Sequence, residues 1–265
     1  METILHVEEH PGRGVPLLLV HGMLASRSQW LRNLPALREV SRPIVVELLG
    51  HGRSPSPRES EPYFPEAYVR QFEDLRRRLG VERWFICGQS LGAALTLRYA
   101  LDHPERVIAQ VFTNSNSALA EEGFGERIRK GMEAQARAME ESGAEALERI
   151  PVHPCHSRRL PEDVKRALVE DARLHDPVGI ARTGLHTVPD SSVRGRVSQL
   201  RVPTLLVCGE NETRFAPHRR FAQDSIPGLE VVGLEAGHAV NAEAAEGFNQ
   251  AVAAFLSKHA PSKSG

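Results

Sequence analysis

Arg83-Trp84-Phe85-Ile86-Cys87 runs directly into Gly88-Gln89-Ser90-Leu91-Gly92. The first five residues are mostly apolar and β-prone. Those from Leu91 to His103 are rich in alanine and leucine and helix-prone. A serine between two glycines at such a junction fits a tight strand-to-helix turn. Small neighbours let two backbones approach closely, and the turn lifts the hydroxyl clear of the sheet. That geometry suits a nucleophile. The pentapeptide alone also arises by chance, so its surroundings decide how it is read.

The first 114 residues alternate between strand-like and helix-like segments. Residues 4–8 read as an opening strand. Residues 16–20 and 43–48 are short continuous apolar runs, as in strands covered on both faces. Residues 63–79 carry Tyr68, Phe72, Leu75 and Leu79 at helical spacing, and Gly80 closes the segment. After the Ser90 junction comes another strand at 107–112. This alternation predicts an α/β fold with a mostly parallel central sheet flanked by helices.

Residues 115–190 break the pattern. Strand-like runs vanish, and Phe124, Ile128, Met132, Met139, Leu147 and Ile150 recur at roughly helical intervals among charged residues. Further helices are expected over 161–176, with Val164, Leu168 and Leu174 as apolar positions, and over 177–188. This stretch reads as a helical lid inserted into a core formed by residues 1–114 and 191–256. The core pattern resumes with strands at 204–208 and 229–234 and helices at 217–225 and 242–256. Residues 257–265 read as a polar tail, and the whole as one domain with its lid.

Composition removes several function classes. A formal net charge of −1 gives no electrostatic reason to expect nucleic acid or an anionic membrane as partner. Cys87, Cys155 and Cys208 are too few and too scattered for a disulfide framework or a zinc site. His153-Pro154-Cys155-His156 lacks a second ligand pair, so no metal and no cofactor are expected. No basic-then-apolar leader and no membrane-length apolar window is visible, which makes a soluble cytoplasmic protein the expectation.

A serine hydroxyl needs a base to take its proton, and the base needs an orienting acid. Both occur just after strands. Gly209-Glu210-Asn211-Glu212 follows one, and Glu235-Ala236-Gly237-His238 follows the next. Strands of a parallel sheet end on one edge, so these loops converge there with Ser90. Most of the twelve histidines have packing or solvated roles to play instead.

With these pieces the chain resembles the α/β-hydrolase superfamily along nearly its whole length. His21-Gly22-Met23 resembles the family's His-Gly turn, Gly50-His51-Gly52-Arg53-Ser54 its Gly-His-Gly-x-Ser loop, and Gly237-His238 its histidine loop. The order serine, acid, histidine agrees as well. The resemblance implies Ser90 as nucleophile, His238 as general base and then acid, and the amides of Met23 and Leu91 as the oxyanion hole. The acid departs from the pattern. Relatives often place Asp three residues after the strand-closing glycine, where this chain has Glu212. Glu210 competes with it. Thr113-Asn114-Ser115-Asn116, an acid site in some relatives, carries no carboxylate here.

The resemblance further implies acyl transfer to water on a small-molecule substrate: an ester, a lactone, a thioester or a C–C bond of β-diketone type. Trp30, Phe124, Met132 and Met139 are candidates to line an apolar pocket. Two alternatives share the fold. Some relatives are lyases or synthases, and those of the menaquinone pathway carry an arginine shortly after the nucleophile. Here Ala93 and Ala94 stand in that stretch, and Arg98 lies a helical turn further on. Other relatives are ligand receptors with a slow triad.

Overall fold

A computed structural model provides the fold and describes residues 5–261. Seven strands form one sheet: β1 (Val7–Glu9), β2 (Pro16–Val20), β3 (Arg42–Val46), β4 (Trp84–Gly88), β5 (Val107–Phe112), β6 (Thr204–Gly209) and β7 (Glu230–Leu234). Their order is β1-β3-β2-β4-β5-β6-β7. Only the β1–β3 pair is antiparallel among the described strands. The expected opening strand over 4–8 is shifted to Val7–Glu9, and Ile4 lies outside the described residues.

Helices α1 (Leu34–Leu37), α2 (Pro65–Arg78), α3 (Leu91–Asp102), α4 (Phe124–Ser142) and α5 (Ala144–Glu148) come first. Then follow α6 (Glu162–Ala172), α7 (Pro177–Arg182), α8 (Ala216–Ser225), α9 (Val240–Glu243) and α10 (Ala245–His259). Helix α10 continues through His259, so the tail expected from residue 257 starts later. Residues 262–265 lie outside the described part.

The continuous apolar runs are explained by the two faces of the sheet. Leu18, Val20, Ile44, Val46 and Ile86 pack with Tyr68 and Phe72 of α2 and Ala93 and Leu97 of α3. Their strand neighbours Leu17, Leu19, Val45, Phe85 and Cys87 point the other way, onto Phe248, Val252 and Leu256 of α10. A period of two therefore feeds both cores, and no position along these strands is free for a polar residue. Burying such side chains contributes roughly 1.5–3 kcal/mol each.

The chain runs from β2 out to β3 and then returns across β2 to β4. The order reverses between β2 and β4, and the loops leaving them diverge. A crevice opens at that switch point, where open α/β sheets hold ligands. The loop after β2 carries His21-Gly22-Met23 and the loop after β4 carries Ser90.

Helix α3 docks unusually close to these strand ends. A methyl group at Gly92 would collide with the carbonyl oxygens of Val20 and His21, and one at Gly88 with the backbone of Gly92. Both obstacles are backbone, which cannot step aside. Gly92→Ala is therefore expected to lower unfolding free energy by about 3 kcal/mol, read as a shift in the urea midpoint. A wild-type midpoint would show that the docking has slack.

Candidate active site

Ser90 has φ 52° and ψ −114°, a left-handed conformation that side-chain-bearing residues rarely adopt. It is held there because Gln89 N–H bonds to Val20 O while Gly92 and Ala93 N–H groups already fold back onto Gln89 and Ser90 carbonyls. The strain lifts Ser90 Oγ to 2.8 Å from His238 Nε2. On the far side of the ring, His238 Nδ1 lies 2.9 Å from Glu212 Oε2. With Nδ1–H donating to the carboxylate, Nε2 is left to accept from the serine.

Three loops meet to make this chain of contacts. Ser90 follows β4, Glu212 follows β6 and His238 follows β7. The histidine loop is fixed by its own neighbours. Glu243 accepts from Gly237 N–H at 2.6 Å and from Ala239 N–H at 3.2 Å. Gln89, buried beside the serine, donates to His238 O at 3.1 Å. The imidazole itself is 45% exposed, so water reaches it directly.

Of the two candidate acids, Glu212 is the one brought to His238. Glu210 is turned outward, paired with Arg219 at 3.0 Å. Two further residues hold Glu212: Asn114 donates to Oε2 at 2.7 Å and Asn116 to Oε1 at 2.9 Å. Asn114 is itself locked by the Gly209 backbone. Burial favours the neutral acid, but the bonds from His238, Asn114 and Asn116 outweigh it and hold the carboxyl below its usual range. Sequence reasoning set the 113–116 segment aside because it lacks a carboxylate. The available signal was two side-chain amides directly after β5, at the sheet edge where the loop after the neighbouring strand β6 also arrives.

Gly22 packs on the serine: a methyl group there would reach Ser90 Cβ at 3.0 Å. The next amide along that loop is Met23 N–H, and Leu91 N–H opens α3 directly after the serine. Among the described residues neither amide bonds to another protein group. Two free N–H groups flanking a strained serine can receive an oxyanion.

Below this loop lie three buried imidazoles. His21 Nε2 accepts from Leu48 N–H at 3.0 Å, His51 Nε2 from Leu24 N–H at 3.1 Å, and His175 Nδ1 from Gly52 N–H at 2.9 Å. His51 sits between the other two, with both centroid separations 5.2 Å. Each ring must stay neutral to accept these bonds. Burial pushes His21 and His175 down to about 4, and His51 well below its ordinary value.

The four pocket candidates separate. Met132 on α4 and Met23 both approach Gly184, with Met132 Sδ 3.1 Å and Met23 Cε 3.7 Å from where a Cβ would stand. Gly184 lies in a π-helical turn, Thr183–Thr187. The other three are not brought there. Trp30 is wholly buried in the core under α10, 6.3 Å from Phe248. Met139 is buried with Leu147 and Ile180 in a cluster that the helices between β5 and β6 form over Leu24. Phe124 lines a separate open groove of about 830 Å³ with Arg129, Arg194 and Phe221, which contains neither Ser90 nor His238. Apolar character marks all three for burial; Trp30 and Met139 are buried, while Phe124 is only partly covered.

The sequence profile of the alpha/beta hydrolase fold matches residues 15–245, and the chain belongs to that family. It is 28% identical over 259 residues to a putative 2-succinyl-6-hydroxy-2,4-cyclohexadiene-1-carboxylate synthase of Bacillus subtilis, spanning 94% of this chain and 93% of that protein. It is 26% identical over 244 residues to the carboxylesterase YbfK of the same species, spanning 91% and 79%. A solved hydrolase from Pseudomonas aeruginosa superposes with a TM-score of 0.79 at 27% identity, over 95% of this chain and 94% of that one. Among the described residues no helix is long and apolar enough to cross a membrane.

The histidine cluster ties stability to pH. Unfolded, each imidazole takes a proton near pH 6.5; folded, His21 and His175 do so only near 4. Between those values the unfolded chain binds more protons, so stability falls as pH drops through that window. Glu212, with its lowered value, loses its contribution in the same direction, further down. Urea unfolding at pH 5 is expected to give a lower free energy than at pH 7.5, by about 2 kcal/mol for His21 alone. Equal stability at the two pH values would contradict neutral burial of these rings.

Proposed function

We propose that this protein is a serine hydrolase that cleaves a carboxylic ester or related acyl bond through an acyl-enzyme on Ser90. The observation that carries the reading is the unbroken contact chain from Glu212 through His238 to Ser90 Oγ, at 2.9 and 2.8 Å. A histidine that only packs does not need an acid on one nitrogen and a strained serine on the other.

In the first half-reaction Ser90 Oγ attacks the carbonyl carbon as its proton passes to His238 Nε2. Charge gathers on the carbonyl oxygen, where the Met23 and Leu91 amides receive it. These donors are fixed backbone, so little reorganisation is needed as charge develops. Glu212 stabilises the imidazolium and keeps its tautomer, and Asn114 and Asn116 keep Glu212 in place. His238 then gives its proton to the leaving oxygen. In the second half-reaction the exposed face of His238 admits water, which the imidazole deprotonates for attack on the acyl carbon; the Ser90 Oγ–acyl bond then breaks, His238 returns the proton to Oγ, and the acid leaves. Met23 and Met132 supply a soft apolar wall, suited to an ester or lactone with a small or medium aliphatic acyl part. The carboxylesterase and hydrolase relatives support this substrate class.

The synthase relative supports a second reading, in which His238 and Ser90 abstract a proton from an anionic substrate. That chemistry calls for a free cation near the serine. Arg98 is committed elsewhere: it pairs with Glu66 at 2.7 Å and donates to Asp190 O at 2.8 Å. Ala93 and Ala94 are buried under the sheet edge. The hydrolytic reading therefore stands first.

Ser90→Ala is expected to reduce turnover of p-nitrophenyl acetate by at least ~10³-fold while leaving the circular dichroism unchanged. Glu212→Gln should cost on the order of 10⁴-fold in kcat, because the amide favours the wrong imidazole tautomer. Glu210→Gln should stay within about twofold. Equal, mild effects of the two glutamine variants would remove Glu212 from the mechanism. Turnover of the 2-succinyl cyclohexadiene precursor by elimination, without ester cleavage, would favour the synthase.

A further inference from the structure

Helix α6 of the lid carries its apolar face on Val164 and Leu168, which pack on Ala25 from the loop after β2 and on Ala239 and Ala242 beside His238. The next position on that face, one turn further, is Asp171. A carboxylate stands where the helical pattern calls for an apolar residue, and it is only 5% exposed. Burying a charge is costly unless it is fully paired. Its partners all belong to the β2 and β3 loops. Oδ2 accepts from Ser26 Oγ at 2.7 Å and from Ser28 Oγ at 2.6 Å. Oδ1 faces Arg53 at 3.5 Å and Arg27 at 3.9 Å. Burial opposes the charge, but the two hydroxyls and two guanidiniums outweigh it and keep the carboxyl below its usual range.

The serines it grips frame a 3-10 turn, Arg27–Trp30. Ser26 caps the turn, accepting from Ser28 N–H. The turn presents Gln29, whose Oε1 accepts from Gly22 N–H at 3.2 Å. That bond fixes the His21–Gly22 peptide. The peptide after it, which carries the Met23 N–H, is held through Gly22 O by Ala25 N–H at 3.2 Å and His21 Nδ1 at 2.7 Å. The entry to the segment from which the Met23 amide is aimed is thus anchored by Gln29. Gln29 also reaches the histidine side: its Nε2 donates to Asn241 Oδ1 at 3.4 Å, and Asn241 Nδ2 returns a bond to Gln29 O at 3.0 Å. The turn is thus a shared plate between the Met23 amide and the helix that follows His238.

We infer that Asp171 is a positioning residue for the oxyanion hole: from the lid, it fixes the Arg27–Trp30 turn through which Gln29 orients the Gly22–Met23 segment. The inference rests on the acyl-transfer reading for its catalytic consequence. Its structural content, that a lid carboxylate holds this loop, stands independently. Asp171 touches no reacting atom. Part of the lid is then a fixed support for the catalytic centre, with α6 unable to lift away without releasing the loop.

Two variants reach the same turn from opposite sides. Asp171→Asn removes the charge at constant size, and the double variant Ser26→Ala/Ser28→Ala removes the hydroxyls while leaving Arg27 and Arg53 to hold the carboxylate. Both are read by hydrogen exchange of the full-length chain and by kinetics on p-nitrophenyl acetate. Faster exchange is expected in residues 21–30, with β4 unchanged. For the esterase, kcat should fall about 10- to 100-fold with KM within about threefold, the mark of a contact made in the transition state. Wild-type exchange over 21–30 in both variants overturns the inference whatever the activity. Faster exchange with undiminished kcat overturns the catalytic consequence. A wild-type protein with no Ser90-dependent turnover fails the proposed function alone, and the exchange measurement still decides whether Asp171 holds the loop.

Discussion

The backbone of α3 lies against the ends of β2 and β4 with no side chain between them, and the rest of the site depends on that contact. It is possible because Gly88 and Gly92 bracket the turn. It forces the intervening serine into positive φ, since the chain must reverse from strand to helix within two residues. It also brings the loop after β2 within van der Waals reach of Ser90 Cβ. The strained turn at Ser90 and the placement of the neighbouring Gly22–Met23 loop are therefore one packing event. The cost of order 1–3 kcal/mol in backbone strain is met by the buried sheet faces around it.

From that contact the other loops follow by topology. In a parallel sheet, β6 and β7 must end on the same edge as β4, so residues just after them arrive near Ser90 whatever their sequence distance. What topology leaves undetermined is aim. Glu212 faces His238 and Glu210 faces Arg219, though both follow β6 by a few residues. The difference lies in the Asn114 and Asn116 amides, which offer Glu212 a polar seat at the end of β5.

This separates what the sequence disclosed from what it hid. The strand runs, the α/β class and the strand-end placement of Ser90, Glu212 and His238 were legible because each rests on local pattern plus one topological rule. Trp30 and Met139 lie elsewhere because apolar type indicates burial without saying in which cluster, and Phe124 because a helical period does not say which groove its face lines. The antiparallel β1 has three residues and little pattern of its own. The lid helices were sensed as periodicity but not delimited: Leu174, expected on the buried face of the 161–176 helix, lies past its end and is 49% exposed. Asp171 escaped notice for the converse reason. A carboxylate on a helix reads as solvated surface until its partners, some 120 to 145 residues away in sequence, are known.

Those partners tie the helices between β5 and β6 to the loops after β2 and β3. Glu47, fully buried after β3, accepts from the Arg53 backbone at 2.7 Å and from that of Arg27 at 3.4 Å, and Asp171 meets the same two residues' side chains from above. Two buried carboxylates and two half-buried guanidiniums thus share one cluster beneath the Met23 loop. A cluster of this kind contributes little net stability over an apolar replacement, because desolvation offsets most of the attraction. Its directional bonds do what apolar packing cannot: they fix the rotation of a short loop about its own axis. An oxyanion hole made of backbone amides has no side chain with which to correct its aim, so the aim must come from such neighbours. The neutral stack of His21, His51 and His175 meets the same need from the other side, giving Leu24 and Leu48 acceptors of set direction. Both sets of buried polar groups act on main chain, which has no side chain of its own to set its direction.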